Sequence, residues 1–477
     1  MSGPSATSGN SPVGGHSPVG GPSPVGGPPA VGGLLIEGAS GIATLAGGLR
    51  RGGAQGDAAA ISGGDLVVAC WNGRILAVGW CDEVLRQIAA EGLPIDAFRR
   101  LDAGGGFITP GLVDAHTHPL FGGTREGEWQ LRARGAGYLE VLAAGGGILS
   151  TVAATRAATD EELLAGGRAR LAQMLANGTT TAEAKSGYGL DAATELRLLE
   201  LIGWLAAEGP IELVPTFLGA HAIPAEFRDR GASATEEYVA SVIAEQLPAV
   251  ARQGIARFCD VFCEQGVFSA DQSRRILRAA ADLGLALRLH ADELAPSGGA
   301  ELAAELAAAS PEGADQGAAL GCLSADHLAA PSEAGIAALA RAADAGTPVV
   351  ATLLPATSWF LGEHHFAPAR RFVDAGIPVA LATDLNPGTS PTLSLPLVMS
   401  IACVEMGMTP AEALVAVTIN AAHSLGMGAE IGSIEPGKQA DLVVWDVPTL
   451  EQIPYWLGAA LVRTVIKCGR PVFERQA

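Results

Sequence analysis

The sequence predicts an α/β protein, a (β/α)8 TIM-like barrel plus a small β-sandwich domain built from both termini. Three observations carry that expectation. Strand-like and helix-like segments alternate through eight strands between residues 107 and 425, as a closed parallel barrel requires. Short apolar runs separated by turns flank this middle at 34–106 and 426–477. Chemically reactive residue types end most of the strand-like segments, on the rim where a barrel keeps its active site. An open doubly wound sheet also alternates, but the placement of those residue types favours the barrel.

Residues 1–33 hold a six-residue repeat of Pro, Gly and Ser, "SPVGGH" then "SPVGGP" twice. Such a segment buries too little apolar area to offset its ordering entropy, so a disordered extension is expected, with His16 solvated. "GLLIEGA", "GDLVVACWNGRILAVGW" and "FRRLDAGGGFITPG" then read as strands, with Asn72-Gly73 as a tight hairpin turn. The eight barrel strands follow as "GFITPGLVDAHTH", "TTTAEAKSG", "IELVPTFLGAH", "FCDVFCE", "LALRLHADE", "CLSADHL", "TPVVATLLP" and "IPVALATD". Stretches with helical periodicity lie between them, such as "TDEELLAGGRARLAQMLANG" and "SADQSRRILRAAADLG". "GSIEPGKQADLVVWDV" and "VRTVIKCGRPVFE" return to strand patterning and complete the discontinuous β domain.

Of the 477 residues, 48% are hydrophobic and 17% charged, so a sizeable core is available. The long uncharged runs 345–362 and 385–404 are broken by Pro348, Pro355, Pro387, Pro391 and Pro396, so no spanning helix is expected. No basic segment leads an apolar one at the N-terminus, which argues against a signal peptide and for a soluble cytoplasmic protein. A net charge of −20 argues against a nucleic-acid partner. It also means that an anionic substrate needs a dedicated local cation. Seven unpatterned cysteines are no disulfide framework, and Cys259 and Cys263 read as small core residues.

The chemistry starts at "VDAHTHPLFGGTRE", residues 113–126. His116 and His118 are two apart near a strand end, so both point to one face. His221 ends the third strand, His290 the fifth, His327 the sixth and Asp384 the eighth. One histidine on an apolar strand is ordinarily a satisfied core residue; six such residues converging on one rim read as a metal centre. Imidazoles with one carboxylate suit Zn²⁺ or iron in an open site, where the metal activates water and polarises a carbonyl. The His-Glu-x-x-His helix pattern is absent, and the adjacent His364 and His365 read as loop residues.

This arrangement resembles the amidohydrolase superfamily. Within it, "DAHTHPLFGGTRE", "KSGYGLD", "FLGAHAIP", "DVFCE", "LRLHADEL", "SADHL", "LLPATSWFLG" and "ALATDLNPGTS" together resemble one branch, over about residues 40–470. That branch opens the ring amide of 4-imidazolone-5-propanoate with water, giving N-formimidoyl-L-glutamate in histidine degradation. The resemblance implies metal ligands at His116, His118, His290 and Asp384, and one Zn²⁺ or Fe³⁺ per chain. It implies substrate contacts at Arg125, Tyr188, His221, Glu293, Asn386, Gly388 and Thr389, and a homodimer. Asp384, Glu293, His327 and His221 are the expected catalytic groups: Asp384 takes the water's proton, Glu293 serves the ring nitrogen, and the histidines orient water or the oxyanion. A planar guanidinium at Arg125 suits a propionate tail, with Tyr188 beside it.

A second ion would need a bridging group at the end of the fourth strand, where Glu264 stands; Lys185 is on the second strand and does not serve. Two other readings remain open. Another cyclic amidohydrolase or deaminase would share the clamp without needing Arg125. A non-catalytic scaffold of the same fold would lack ligands, and none is missing.

Overall fold

The computed structural model describes residues 32–135, 146–228, 230–307 and 321–476. The expected disordered repeat lies outside them apart from Gly32 and Gly33. Eight parallel strands form the central sheet: Leu112–Asp114, Thr179–Lys185, Glu212–Ala220, Phe258–Cys263, Ala286–Ala291, Cys322–His327, Val350–Leu353 and Val379–Leu381. Each pairs with its sequence neighbour. We number them one to eight as barrel strands. A parallel bridge between Thr117 and Leu385 closes the ring just past strands one and eight. There the Asp384 N–H donates to the His116 carbonyl at 3.0 Å, and the His118 N–H to the Leu385 carbonyl at 2.8 Å. The closing seam therefore sets the His-x-His pair against Asp384.

Strands two and three are buried along their whole length, as strands covered on both faces must be. The helices outside them start where short polar side chains satisfy free backbone N–H groups. Thr159 and Glu162 form a reciprocal capping box on helix Asp160–Ala176, and Ser269 and Gln272 another on Ala270–Asp282. Among the described residues no helix is long and apolar enough to cross a membrane.

The chain ends form a second eight-stranded sheet. Its members are Gly33–Ala43, Ala60–Trp71, Arg74–Trp80, Phe98–Asp102, Phe107–Pro110, Leu442–Trp445, Val462–Lys467 and Arg470–Glu474. It is one connected sheet that curls over a shared core, in which Leu34, Ile36, Val68 and Ile108 meet Leu442, Val444 and Ile466. Its other face buries Val84 and Ile88 of helix Cys81–Ala90. The Asn72-Gly73 turn has both residues at positive φ, 48° and 82°, the twist that a two-residue hairpin prefers.

One expected strand is two. "GFITPGLVDAHTH" breaks at Gly111: Phe107–Pro110 pairs with Leu442–Trp445 and Gly33–Ala43, while Leu112–Asp114 begins the barrel. A Cβ at Gly111 would lie 2.1 Å from Thr180 Oγ1, so the chain can make this transfer only without a side chain. Lys467 fastens the two sheets together. Its buried ammonium donates to Asp441 Oδ2 at 2.7 Å and to Glu212 Oε2, at the start of strand three, at 3.0 Å.

Candidate active site

The six residues expected on the rim come together. The ring of His116 lies 5.4 Å from that of His118, 4.5 Å from His290 and 5.3 Å from His327. His221 stacks on His118 at 5.1 Å. One donor atom from each of His116, His118 and Asp384 falls within 4.8 Å of the others, and overlapping sets add His290, His221 and His327. All but His221 are buried. Burial holds His116, His118 and His327 well below the usual imidazole range and brings His221 down to about 3. These four rings are therefore neutral, the form that ligates a cation.

Each orienting hydrogen bond selects a nitrogen. His116 Nδ1 sits 2.6 Å from Asp326 Oδ2 and His221 Nδ1 is 3.0 Å from the Gly187 carbonyl, while His290 Nδ1 lies 2.9 Å from Asp260 Oδ2 as a close contact outside hydrogen-bond geometry. These acceptors place the ring proton on Nδ1 and leave Nε2 as the free lone pair. His116 Nε2 is buried with no hydrogen-bond partner, as is His118 Nδ1. The unpartnered Nε2 of His116 lies 3.5 Å from Asp384 Oδ1, with His118 Nε2 at 3.7 Å from the same oxygen, a donor set that fits a metal ion.

Asp384 sits on strained backbone, φ 51°, and so does His327, φ 74°. Thr357, from helix Pro355–Leu361 after strand seven, donates to Asp384 Oδ2 at 2.7 Å. Burial raises the Asp384 carboxyl to about 6 against the pull of Thr357 and His290. Glu293 lies 3.7 Å from His327 Nδ1. Burial, reinforced by the Asp384 charge, pushes its carboxyl well above the ordinary range, which favours the protonated form.

Against the loop that follows Asp384 opens a cleft of about 380 Å³, lined by Phe121, Arg125, Trp129, Arg170, Phe360 and Asn386 among others. That is within the range of small-molecule sites. Arg125 packs on the loop after Asp384 so tightly that a Cβ at Gly388 would be 1.9 Å from its Nη1. Its Nε and Nη2 are taken up by Glu128, at 2.8 Å each. Asn386 spends its side chain on its own loop: Oδ1 accepts from the Gly388 and Thr389 N–H groups, and Nδ2 donates to the Asp384 carbonyl and Thr389 Oγ1. Tyr188 is buried beside the stacked rings of His118 and His221, at 5.6 and 5.5 Å. His364 and His365 lie in an exposed loop.

Glu264 turns inward to the protein. It accepts from the Gln265 and Leu294 N–H groups and from Ser297 Oγ, tying down the loop that carries Glu293, and belongs to no donor cluster among the described residues. Sequence reasoning missed Asp260, Asp326, Thr357 and Glu128. The first two had a signal: a carboxylate in the middle of an apolar strand must find a buried partner.

The Amidohydrolase family profile matches residues 107–472. An imidazolonepropionase of Geobacillus kaustophilus is 50% identical over 84% of this chain and 88% of its own length. One from Symbiobacterium thermophilum is 48% identical over 92% and 97%. A zinc-bound adenosine deaminase structure from Xanthomonas campestris covers 93% of each chain with a TM-score of 0.62 at 22% identity, a likeness of fold alone. The chain belongs to the amidohydrolase family and, within it, to the imidazolonepropionases.

Proposed function

We propose that the protein hydrolyses the ring C–N amide bond of 4-imidazolone-5-propanoate, giving N-formimidoyl-L-glutamate. The observation that carries the reading is a cleft lined by two guanidiniums, Arg125 and Arg170, next to the loop that follows Asp384 in a cluster of histidines. Relatives of the same name match nearly the whole chain. Neither the deaminase reading nor the scaffold reading accounts for both features.

His116, His118, His290 and Asp384 would hold a single metal, Zn²⁺ or Fe³⁺. When bound it supplies Lewis acidity and a water acidic enough to attack near neutral pH. Arg125 and Tyr188 hold the propionate tail and so fix the ring over the donors. Only one edge of the Arg125 guanidinium is free of Glu128, which suits a single carboxylate. Asp384 takes a proton from the attacking water as its oxygen adds to the carbonyl carbon. His221 and His327 face the developing oxyanion or the water. The C–N bond then breaks, and protonated Glu293 delivers its proton to the departing ring nitrogen. We assign the barrel to residues 111–425 and the second domain to 34–110 with 426–477, because the expected boundary at 107 gives way to the transfer at Gly111. A cytoplasmic homodimer goes with the same reading.

Arg125→Ala tests the anchor. A charge-assisted hydrogen bond is worth about 1.5–3 kcal/mol, so KM should rise roughly 10- to 100-fold while bound metal stays unchanged. Loss of metal in this variant would mean that clamp and anchor are not separate.

A further inference from the structure

Directly beneath the histidines lies a wholly buried cluster of charges from four strands: Glu183 and Lys185 on strand two, Asp260 on four, Arg288 on five and Asp326 on six. Lys185 is its hub. Its Nζ is 2.5 Å from Asp260 Oδ2, 2.9 Å from Glu183 and 3.7 Å from Asp326 Oδ2. Asp260 is the carboxylate that meets His290: its Oδ2 lies 2.9 Å from the ring Nδ1, and its Oδ1 accepts the His290 backbone N–H at 3.1 Å. Asp326 is the one that meets His116. The backbone N–H of Lys185 also donates to the Thr117 carbonyl at 3.0 Å, between the two clamp histidines.

We propose that Lys185 is a positioning residue for the metal centre. By bridging Asp260 and Asp326 it fixes the ring orientations of His290 and His116, so that both present Nε2 to one ion. The inference rests on those two histidines being ligands. Packing does not call for this lysine: burying an ammonium is costly, and a buried ion network is often replaceable by apolar side chains without loss of stability. Geometry supplies another reason for it. Two carboxylates on strands four and six must each keep one oxygen on an imidazole nitrogen, and their strands are separated by strand five. One ammonium reaching both holds the pair in register. Arg288 closes the same network from the far side, with Nη2 3.1 Å from Asp326 Oδ2 and 2.7 Å from the Ala115 carbonyl.

The test is metal affinity, measured on purified metal-free protein by competition between Zn²⁺ and a chelator, with the visible spectrum of the Co²⁺ form as a second readout. Lys185→Met should weaken Zn²⁺ binding by about 10- to 100-fold, the usual effect of losing a partner of a ligand, and shift the Co²⁺ bands. Lys185→Gln, which keeps a polar side chain of similar reach without the charge, should fall in the same range and decides the matter if Lys185→Met does not fold. Zn²⁺ affinity within about twofold of the parent and an unchanged Co²⁺ spectrum, even with a lowered melting temperature, would overturn the proposal, because a purely structural lysine acts that way. His116→Ala separates the two readings: if it too binds Zn²⁺ like the parent, the ligand assignment has failed rather than the role of Lys185.

Discussion

Glu293 and Asp384 are two carboxyls on one rim with different work. Asp384 is raised only to about 6, because Thr357 and His290 favour its charged form. Glu293 has no such support and is driven well above its ordinary value. A group that must be protonated to act contributes below its pKa and is lost as pH rises through it. Glu293→Gln should therefore lower kcat by about 100- to 10,000-fold and abolish the alkaline limb of the pH profile; a variant that keeps that limb would remove Glu293 from proton transfer. At this scale the sequence was legible where chemistry repeats at strand ends: His116, His118, His221, His290, His327 and Asp384 all reach one site. Partners across strands were not. "SADHL" displays Asp326 next to His327, yet its hydrogen bond goes to His116 on another strand. Strand periodicity gives the face of a residue but not its neighbour in register.

Single elements show how much of the architecture is local. Helices with capping boxes begin where Thr or Ser precedes a run with helical spacing, as at Thr159 and Ser269. The break at Gly111 was not legible, because "FITP" and "LVD" read as one apolar run; it is made by crowding against Thr180 on a strand nearly seventy residues later. Helix Ile419–Ser424 carries His423, whose Nε2 is buried without a partner against Gly428. Burial, aided by Lys438, brings this imidazole down to about 4. The unfolded chain then binds the proton more readily, so stability rises with pH between about 4 and 6.5 and is lost as pH falls through that window. His423→Gln should remove on the order of 1–2 kcal/mol of that acid-side loss. Urea melts at pH 4.5 and 7 measure it; an equal pH dependence in both proteins would exclude His423 as the source.

Over the whole molecule, barrel closure does what no segment does alone. Eight alternating segments foretold a ring, but only the seam between strands one and eight shows why Asp384 faces His116 and His118. Histidine donors gathered around Asp384, with the Nε2 of His116 buried and unpartnered, offer a bound ion contacts that the unfolded chain does not. Removing metal with a chelator should lower the melting temperature, and Zn²⁺ should restore it. Free metal at about a hundred times its Kd stabilises by about 2.7 kcal/mol, so a melting curve indifferent to the chelator would show that the donors do not bind an ion in the folded protein.

The most direct measurement is turnover. The purified protein is incubated with 4-imidazolone-5-propanoate while the ring's ultraviolet absorbance, ammonia and bound metal are followed together. Hydrolysis of the ring amide predicts loss of the absorbance, N-formimidoyl-L-glutamate formed mole for mole, and no ammonia. An unchanged absorbance with a full complement of metal, or release of ammonia in step with its decay, would contradict the account.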